Sequence, residues 1–416
     1  MRPSQLVVQL VGGHNALVRE GTEPSIVLIT MDRKTPAIIF TRSDGKEARF
    51  PLQHSPFKGT SAIASFHFTP AFTRLLTRTV AGDEIIFELP KQNGDQLNGR
   101  LVVYLDQNQW SIIDRLRRDT SFGTEADREL VRMLDEWVRR ELIVLPASAG
   151  HYYETTKWTD ARRRYHLGLT ILQLSRGWQM RHPLQVRRDE LIAAFRNQLG
   201  QPVEMKASEV FTLRPFVTFP TPRRQASYKN PSDFPPDRAF QHAALTSASA
   251  LIDVMLDAEA IQPRPDIGWA KANQKFSNWL DGETRDAQQK RNAIDVFLLS
   301  DLKREIAEVA LDVGMHYEQL SHWVHKQAVK DICRLPALGM FREMMHGRHL
   351  NKGTVWKFSD LTDMIYLSCA AGYADFVVCE RHMGSILAQG VKRLKRPTQV
   401  FTQLSKAIPA IQNALQ

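Results

Sequence analysis

The chain has 416 residues, 43% of them apolar, and a formal charge of +10. That length suggests roughly two or three domains, and the apolar share excludes a disordered chain. No apolar run approaches the roughly 20 residues that span a bilayer, so the expectation is a cytoplasmic protein with no membrane partner.

Three cysteines, Cys333, Cys369 and Cys379, form no CxxC pair and no even framework. This argues against a disulfide scaffold or a cysteine-rich zinc site and agrees with a reducing compartment. The charge is uneven. Residues 151–200 hold nine Lys and Arg against four Asp and Glu, and residues 381–396 hold five and none. Local basic excess points to a polyanion partner or to a solvated basic face.

Residues 1–95 read as a separate β-rich domain. The runs SQLVVQLV, SIVLIT, PAIIFTR, ARFPL and DEIIFELP are short and apolar or alternating, with GGHN, SDGK and AGDE as turns. The first of them reads as a strand rather than a signal peptide. An amphipathic helix, TPAFTRLLTRTV, is expected between the last two runs, and residues 91–99 read as a polar linker.

From residue 100 strands and helices alternate. RLVVYLD is a strand, QWSIIDRLRR a short helix, TEADRELVRMLDEWVRR a second helix and ELIVLP a second strand. SAGHYYETTKWTDARRRYHLGLTILQLSRG follows as one long helix or two. This pattern predicts an α/β domain with a parallel sheet. Residues 181–350 break the rhythm. They hold a proline-rich loop, FVTFPTPRRQASYKNPSDFPPDR, and helices over 239–262 and 285–347. The α/β pattern returns with the helix SDLTDMIYLSCAAGY, the strand ADFVVCE, the helix GSILAQGVKRLK and a last strand PTQVFTQL.

Three acidic features stand out. Asp106 lies just past the first strand of the α/β part, Glu154 lies in the helix after the second, and Asp360 and Asp363 open a late helix. Ligands of open α/β sheets gather at the carboxyl ends of strands. Clustered acids repel one another unless a cation joins them, and Mg²⁺ or Mn²⁺ prefers hard oxygen ligands. Such an ion can orient and acidify a water that attacks a phosphodiester. Each acid also has a plainer reading: Asp106 and Asp360 as helix caps, Glu154 as a solvated helix residue.

VVYLDQNQW, SAGHYYETTKWTDARRR and SDLTDMIYLSCAAGYADFVVCERHM together resemble the PIN-like nuclease superfamily, and the first is similar to an LDxNxW variant in large bacterial members. The resemblance implies an α/β fold: a PIN-like parallel sheet flanked by helices, with an acidic pocket for Mg²⁺ or Mn²⁺. It makes Asp106, Glu154 and Asp363 the catalytic and metal-holding acids, with Asp360 as the alternative third. Where the family often has Thr-x-Asp, this chain has Cys379, Glu380 and Arg381, so Glu380 stands in one place early as a fourth metal ligand. Asp375 is expected to be structural or peripheral. The likeness covers about 100–180 and 355–405. The expected layout is therefore an N-terminal domain over 1–95, nuclease segments over 96–180 and 351–416, and a helical insertion over 181–350.

Lys157, Arg162, Arg163 and Arg164 follow Glu154, with Trp110, Tyr152, Tyr153 and Trp158 nearby. Cations beside aromatics suit a flexible single strand, and the expected nucleic acid partner is RNA more than DNA. Lys392, Arg393, Lys395 and Arg396 form a second basic candidate. His322, His325, His346 and His349 occur in pairs spaced by three, but no HExxH completes a zinc site. No phosphate-binding loop, dinucleotide fingerprint or GxSxG is present.

The expected function is a metal-dependent endoribonuclease, and its setting as a toxin or defence effector comes from the resemblance alone. The alternatives are a catalytically degenerate nucleic-acid-binding module and a protein-interaction scaffold. A protein partner or inhibitor would engage the N-terminal domain or the helical insertion.

Overall fold

Short runs rich in Ile, Phe and Thr, separated by tight turns, pair into an antiparallel sheet early in the chain. In the computed structural model this sheet holds β1 (Ile26–Asp32), β2 (Ala37–Arg42), β3 (Glu47–Pro51), β4 (Ile63–Phe68), β5 (Arg74–Thr79) and β6 (Glu84–Glu88). Their order is β3-β2-β1-β4-β5-β6. The structure describes Leu10 and residues 24–52, 55, 57, 60–90, 95–203, 205–214, 236–257 and 267–416. The strand expected at 4–11 therefore lies outside the described residues except for Leu10. So do the turn at 12–15 and most of the proline-rich loop at 216–238.

The helix expected over 69–80 is instead the strand β5, paired with β4 on one side and β6 on the other. Leu75 enters a large buried cluster, whereas Leu76 packs with Leu10 and Leu28 on the opposite face. A strand covered on both faces loses its two-residue alternation, and its adjacent apolar residues imitate a helix stripe.

The next segment opens with β7 (Leu101–Leu105), α1 (Gln107–Arg118), α2 (Glu125–Arg139) and β8 (Ile143–Val144). It continues with α3 (Ala149–Thr156), α4 (Ala161–Ser175) and β9 (Gln179–Met180). The expected long helix is thus two, divided at Lys157–Asp160, where Asp160 caps α4 by accepting the Arg162 and Arg163 N–H groups.

The insertion runs through α5 (Pro183–Gln198), α6 (Ala207–Val210) and β10 (Phe211–Thr212), which pairs antiparallel with β9. Then come α7 (Pro236–Ile252), a π-helical turn (Asp253–Asp257), α8 (Ile267–Gly282), α9 (Ala287–Asp312), α10 (Tyr317–Lys326), α11 (Ala328–Arg334) and α12 (Pro336–His349). The chain closes with α13 (Asp360–Tyr373), β11 (Phe376–Val378), α14 (Arg381–Leu394), β12 (Gln399–Phe401) and α15 (Leu404–Ala414). Patterning gave no sign of β4, α5, α8 or α15. No helix of the described residues is long and apolar enough to cross a membrane.

The distant segments meet in one four-stranded sheet of order β12-β11-β7-β8, parallel throughout. Val103 lies opposite Phe376 and Leu105 opposite Val378. Both faces of β7 are covered, which is why its sequence is apolar from end to end. The N-terminal sheet is a separate sheet, but its Phe66, Leu75 and Phe87 share a buried cluster with Trp110, Ile113 and Leu172 of the α/β part.

The insertion is anchored through Glu190 on α5. Its carboxylate accepts the N–H groups of Ala337 (2.6 Å) and Leu338 (2.8 Å) at the start of α12, and the Tyr373 hydroxyl of α13 (2.7 Å). Burial pushes its pKa up to about 7 despite these donors.

Candidate active site

β7 and β11 both end at one edge of the parallel sheet, and their following residues turn directly into helices. Asp106 leaves β7 and Glu380 leaves β11. α13 returns to the sheet through β11, so its first turn, with Asp363, lies at that same edge. α3 begins just beyond β8 and brings Glu154. Gly150 on α3 lets α13 approach closely: a Cβ there would stand 3.1 Å from the Tyr366 ring. Asp106, Glu154, Asp363 and Glu380 consequently line one cavity of about 460 Å³.

Asp106 is both a cap and a cavity residue. Its Oδ1 accepts the Gln109 N–H (3.0 Å), capping α1, and its Oδ2 accepts the Glu380 N–H (2.6 Å) at the start of α14. Two helix N-termini thus converge on one carboxylate, and the Asn108 N–H at the start of α1 also favours its charged form. Burial still pushes its pKa up to about 6, against the backbone donors and with help from the Glu380 charge. Asp363 is raised further, to about 7, first by burial and then by the charges of Glu154, Glu380, Asp360 and Asp106. Among the described residues lining the cavity, four carboxylates face one ammonium, Lys157. Glu154 is ion-paired with Lys157, whose Nζ lies 4.2 Å from the centroid of the Tyr153 ring.

Several polar neighbours escaped the sequence reading. His151 lines the cavity, and its Nδ1 accepts the Ser148 N–H (3.1 Å), placing the proton on Nε2. Burial drives its pKa down to about 3, so the ring is neutral. Gln107 donates to Thr155 Oγ1 (3.0 Å), while its buried Oε1 has no partner among the described residues. Gln107 follows Asp106 directly and His151 stands one helical turn before Glu154, and those positions were the only sequence signal for them.

Other expected site residues fall elsewhere. Asp360 is not a lining residue. It is buried against Arg348 and accepts the Lys357 N–H (2.8 Å), so its expected role as a metal ligand is corrected to that of an internal ion-pair partner. Asp375 accepts the Val102 N–H (2.7 Å) at the opposite end of β7 and is structural. Trp110 and Tyr152 are core side chains; Trp158 lines the cavity and Tyr153 is exposed beside it.

Arg163 stacks over Trp158, 3.4 Å from the ring centroid, Arg164 donates to the Trp158 carbonyl (2.6 Å), and Arg162 is exposed. The second basic candidate lies away from the cavity. Lys392, Arg393, Lys395 and Arg396 sit at the far end of α14, about 18 Å along the helix from Glu380 at 1.5 Å per residue. Arg396 caps the carbonyls of Cys333, Arg334 and Leu335, and Arg393 pairs with Glu343 (3.0 Å). His346 and His349 are bound to Asp295 and to Ser277 and Asn273, which removes the zinc reading for that pair.

Among the described residues, no three His, Cys, Asp or Glu side chains form a ready cation site. The donor chemistry nevertheless fits a hard divalent cation: carboxylate oxygens, an unpartnered amide oxygen, and mutual repulsion that a cation would relieve.

Burial, together with this repulsion, has a sign that can be measured. Both Asp106 and Asp363 hold protons to higher pH folded than unfolded, where a carboxyl titrates near 3.9. The stability they contribute is full below about pH 4 and is lost as pH rises through 6 and 7. In EDTA the melting midpoint is expected to fall between about pH 5 and pH 8. Asp363→Asn should flatten that fall, and Mn²⁺ should restore the midpoint at the upper end. A profile identical in parent and variant contradicts the charge cluster.

Compared with protein-family models, curated proteins and solved structures, the chain matches none.

Proposed function

We propose that this chain is a metal-dependent endoribonuclease with a PIN-like α/β domain. One observation carries the reading: Asp106, Glu154, Asp363 and Glu380 come from four points of the chain and line one cavity at the carboxyl edge of a parallel sheet. A structural role alone would not need four acids opposed by a single lysine, because their repulsion costs stability in the folded state.

When bound, Mg²⁺ or Mn²⁺ supplies Lewis acidity towards a phosphoryl oxygen and towards a water. Asp106 and Asp363 would hold it, with Glu154 and Glu380 beside them. Asp106 is fixed in advance by backbone N–H groups at the starts of α1 and α14. Lys157 carries a positive charge at the cavity wall, where a phosphate oxygen can meet it. His151, neutral, and Tyr366 also line the cavity. Trp158 and Tyr153, each with a cation (Arg163 and Lys157) over its ring, put aromatic and positive groups side by side at the cavity, which favours a single strand over a duplex.

Purified chain should cut single-stranded RNA with Mn²⁺ or Mg²⁺ and stop in EDTA. Cutting that persists in EDTA would remove the acid-cluster mechanism. A second reading, a nucleic-acid-binding module without activity, is favoured by the Glu154–Lys157 pair, which already neutralises one of the four acids. Binding without cutting in either metal would select it.

A further inference from the structure

Next to the acidic cavity lies a second cleft of about 420 Å³, lined by Ser111, Asp114, Arg115, Arg163 and Leu167. Ser111 borders both. Gln107, Ser111 and Arg115 follow one another at four-residue spacing on α1, so a single helix face runs from the acids into the cleft. From Gln107 to Arg115 the helix rises about 12 Å. Trp158 forms the boundary, because it lines the acidic cavity and carries the Arg163 guanidinium on its ring.

The cleft is positive where its neighbour is negative. Arg115 and Arg163 form no ion pair among the described residues, although neighbouring arginines of α1 and α2 do. Each guanidinium is instead stacked, Arg163 on Trp158 and Arg115 on Phe122 at 3.7 Å from the centroid. Stacking holds the plane and leaves the edge donors free for a bidentate anion. Asp114, the one acid in the lining, is nearly buried and occupied by Arg118 Nε (2.7 Å) and Thr170 Oγ1 (2.7 Å).

We infer that the Arg115–Arg163 cleft is a phosphate subsite that holds the nucleic acid backbone beyond the scissile bond. The assignment rests on the nuclease reading for its substrate but not for its charge. It makes a length prediction: a dinucleotide reaches only the acidic cavity, and a longer single strand gains the two arginines.

The test uses the full chain in EDTA, with labelled oligouridylates of two and eight nucleotides, and the double variant R115Q/R163Q. Loss of two phosphate contacts should weaken the octamer about tenfold or more. It should also shrink the slope of log K against log salt by about 1.4, at 0.7 per single-strand contact. R115K/R163K should keep the slope, and the dinucleotide should bind all three chains alike. An unchanged octamer slope in R115Q/R163Q overturns the subsite. Tripolyphosphate displacing the octamer at equal phosphate concentration overturns its assignment to nucleic acid. Hydrolysis of bis(p-nitrophenyl) phosphate with Mn²⁺ is measured in parallel and should be the same in parent and double variant. Loss of the octamer slope with no small-diester hydrolysis in either chain leaves the subsite standing and removes the nuclease reading. Hydrolysis with an unchanged slope does the reverse.

Discussion

Asp106→Asn is expected to lower Mn²⁺-dependent RNA cleavage by about 10³-fold or more, near 4 kcal/mol at 1.36 kcal/mol per decade. The substitution removes the charge held between the starts of α1 and α14. Asparagine caps a helix about as well as aspartate, so α1 persists. Its single oxygen can serve the Gln109 N–H or the Glu380 N–H, not both. Leaving one donor unpaired costs about 1–3 kcal/mol, offset by relief of the repulsion with Glu380. The variant should therefore be folded, with a circular dichroism spectrum like the parent's, and inactive. A folded Asp106→Asn chain that cuts at the parental rate would show that the carboxylate is only a cap.

The largest stability effect is expected at the junction of the two sheets, in Glu88→Ala. Glu88 ends β6 and is buried. It accepts from Arg100 (2.6 Å) and Trp178 Nε1 (3.1 Å), with Arg176 at 3.7 Å. Arg100 also reaches Glu141, which pairs with Arg74 of β5. Removing Glu88 leaves two arginines and an indole N–H in a dry junction without their acceptor. Breaking a buried pair in this way costs about 3–5 kcal/mol. Urea unfolding followed by tryptophan fluorescence should show it, and Glu88→Gln, which keeps an acceptor, should lose less. A shift under about 1 kcal/mol for Glu88→Ala would mean that water reaches the junction.

Asp106 was legible because an acid at the end of an apolar strand suits a cap or a site, and the structure makes it a cap that also lines the cavity. Glu154 and Asp363 were legible as acids placed near the ends of the same sheet. Glu380 was only half legible, since the spacing after β11 departs from the PIN-like pattern the sequence resembles while its backbone N–H is tied to Asp106. Arg115 and His151 were invisible, because what brings them to the site is helix rotation against distant elements. The basic residues misled in a particular way. Composition counts charge but not its partners, and Arg181, Arg187 and Arg188 pair with Asp189, Glu305 and Asp312. In the fold, β7 and β11 were read from continuous apolar runs, whereas β5 was misread because Phe72, Leu75, Leu76 and Val80 fall at helical spacing.

Manganese binding, followed by the loss of the free-ion electron paramagnetic resonance signal, tests the central claim most directly. The parent chain should bind Mn²⁺ above about pH 7, where Asp363 is ionised, and release it as pH falls through 6. Asp106→Asn and Asp363→Asn should each abolish that binding, while Asp375→Asn, at the opposite edge of the sheet, should retain it. Parental Mn²⁺ binding in both Asp106→Asn and Asp363→Asn, or none in the parent at any pH, would contradict the account.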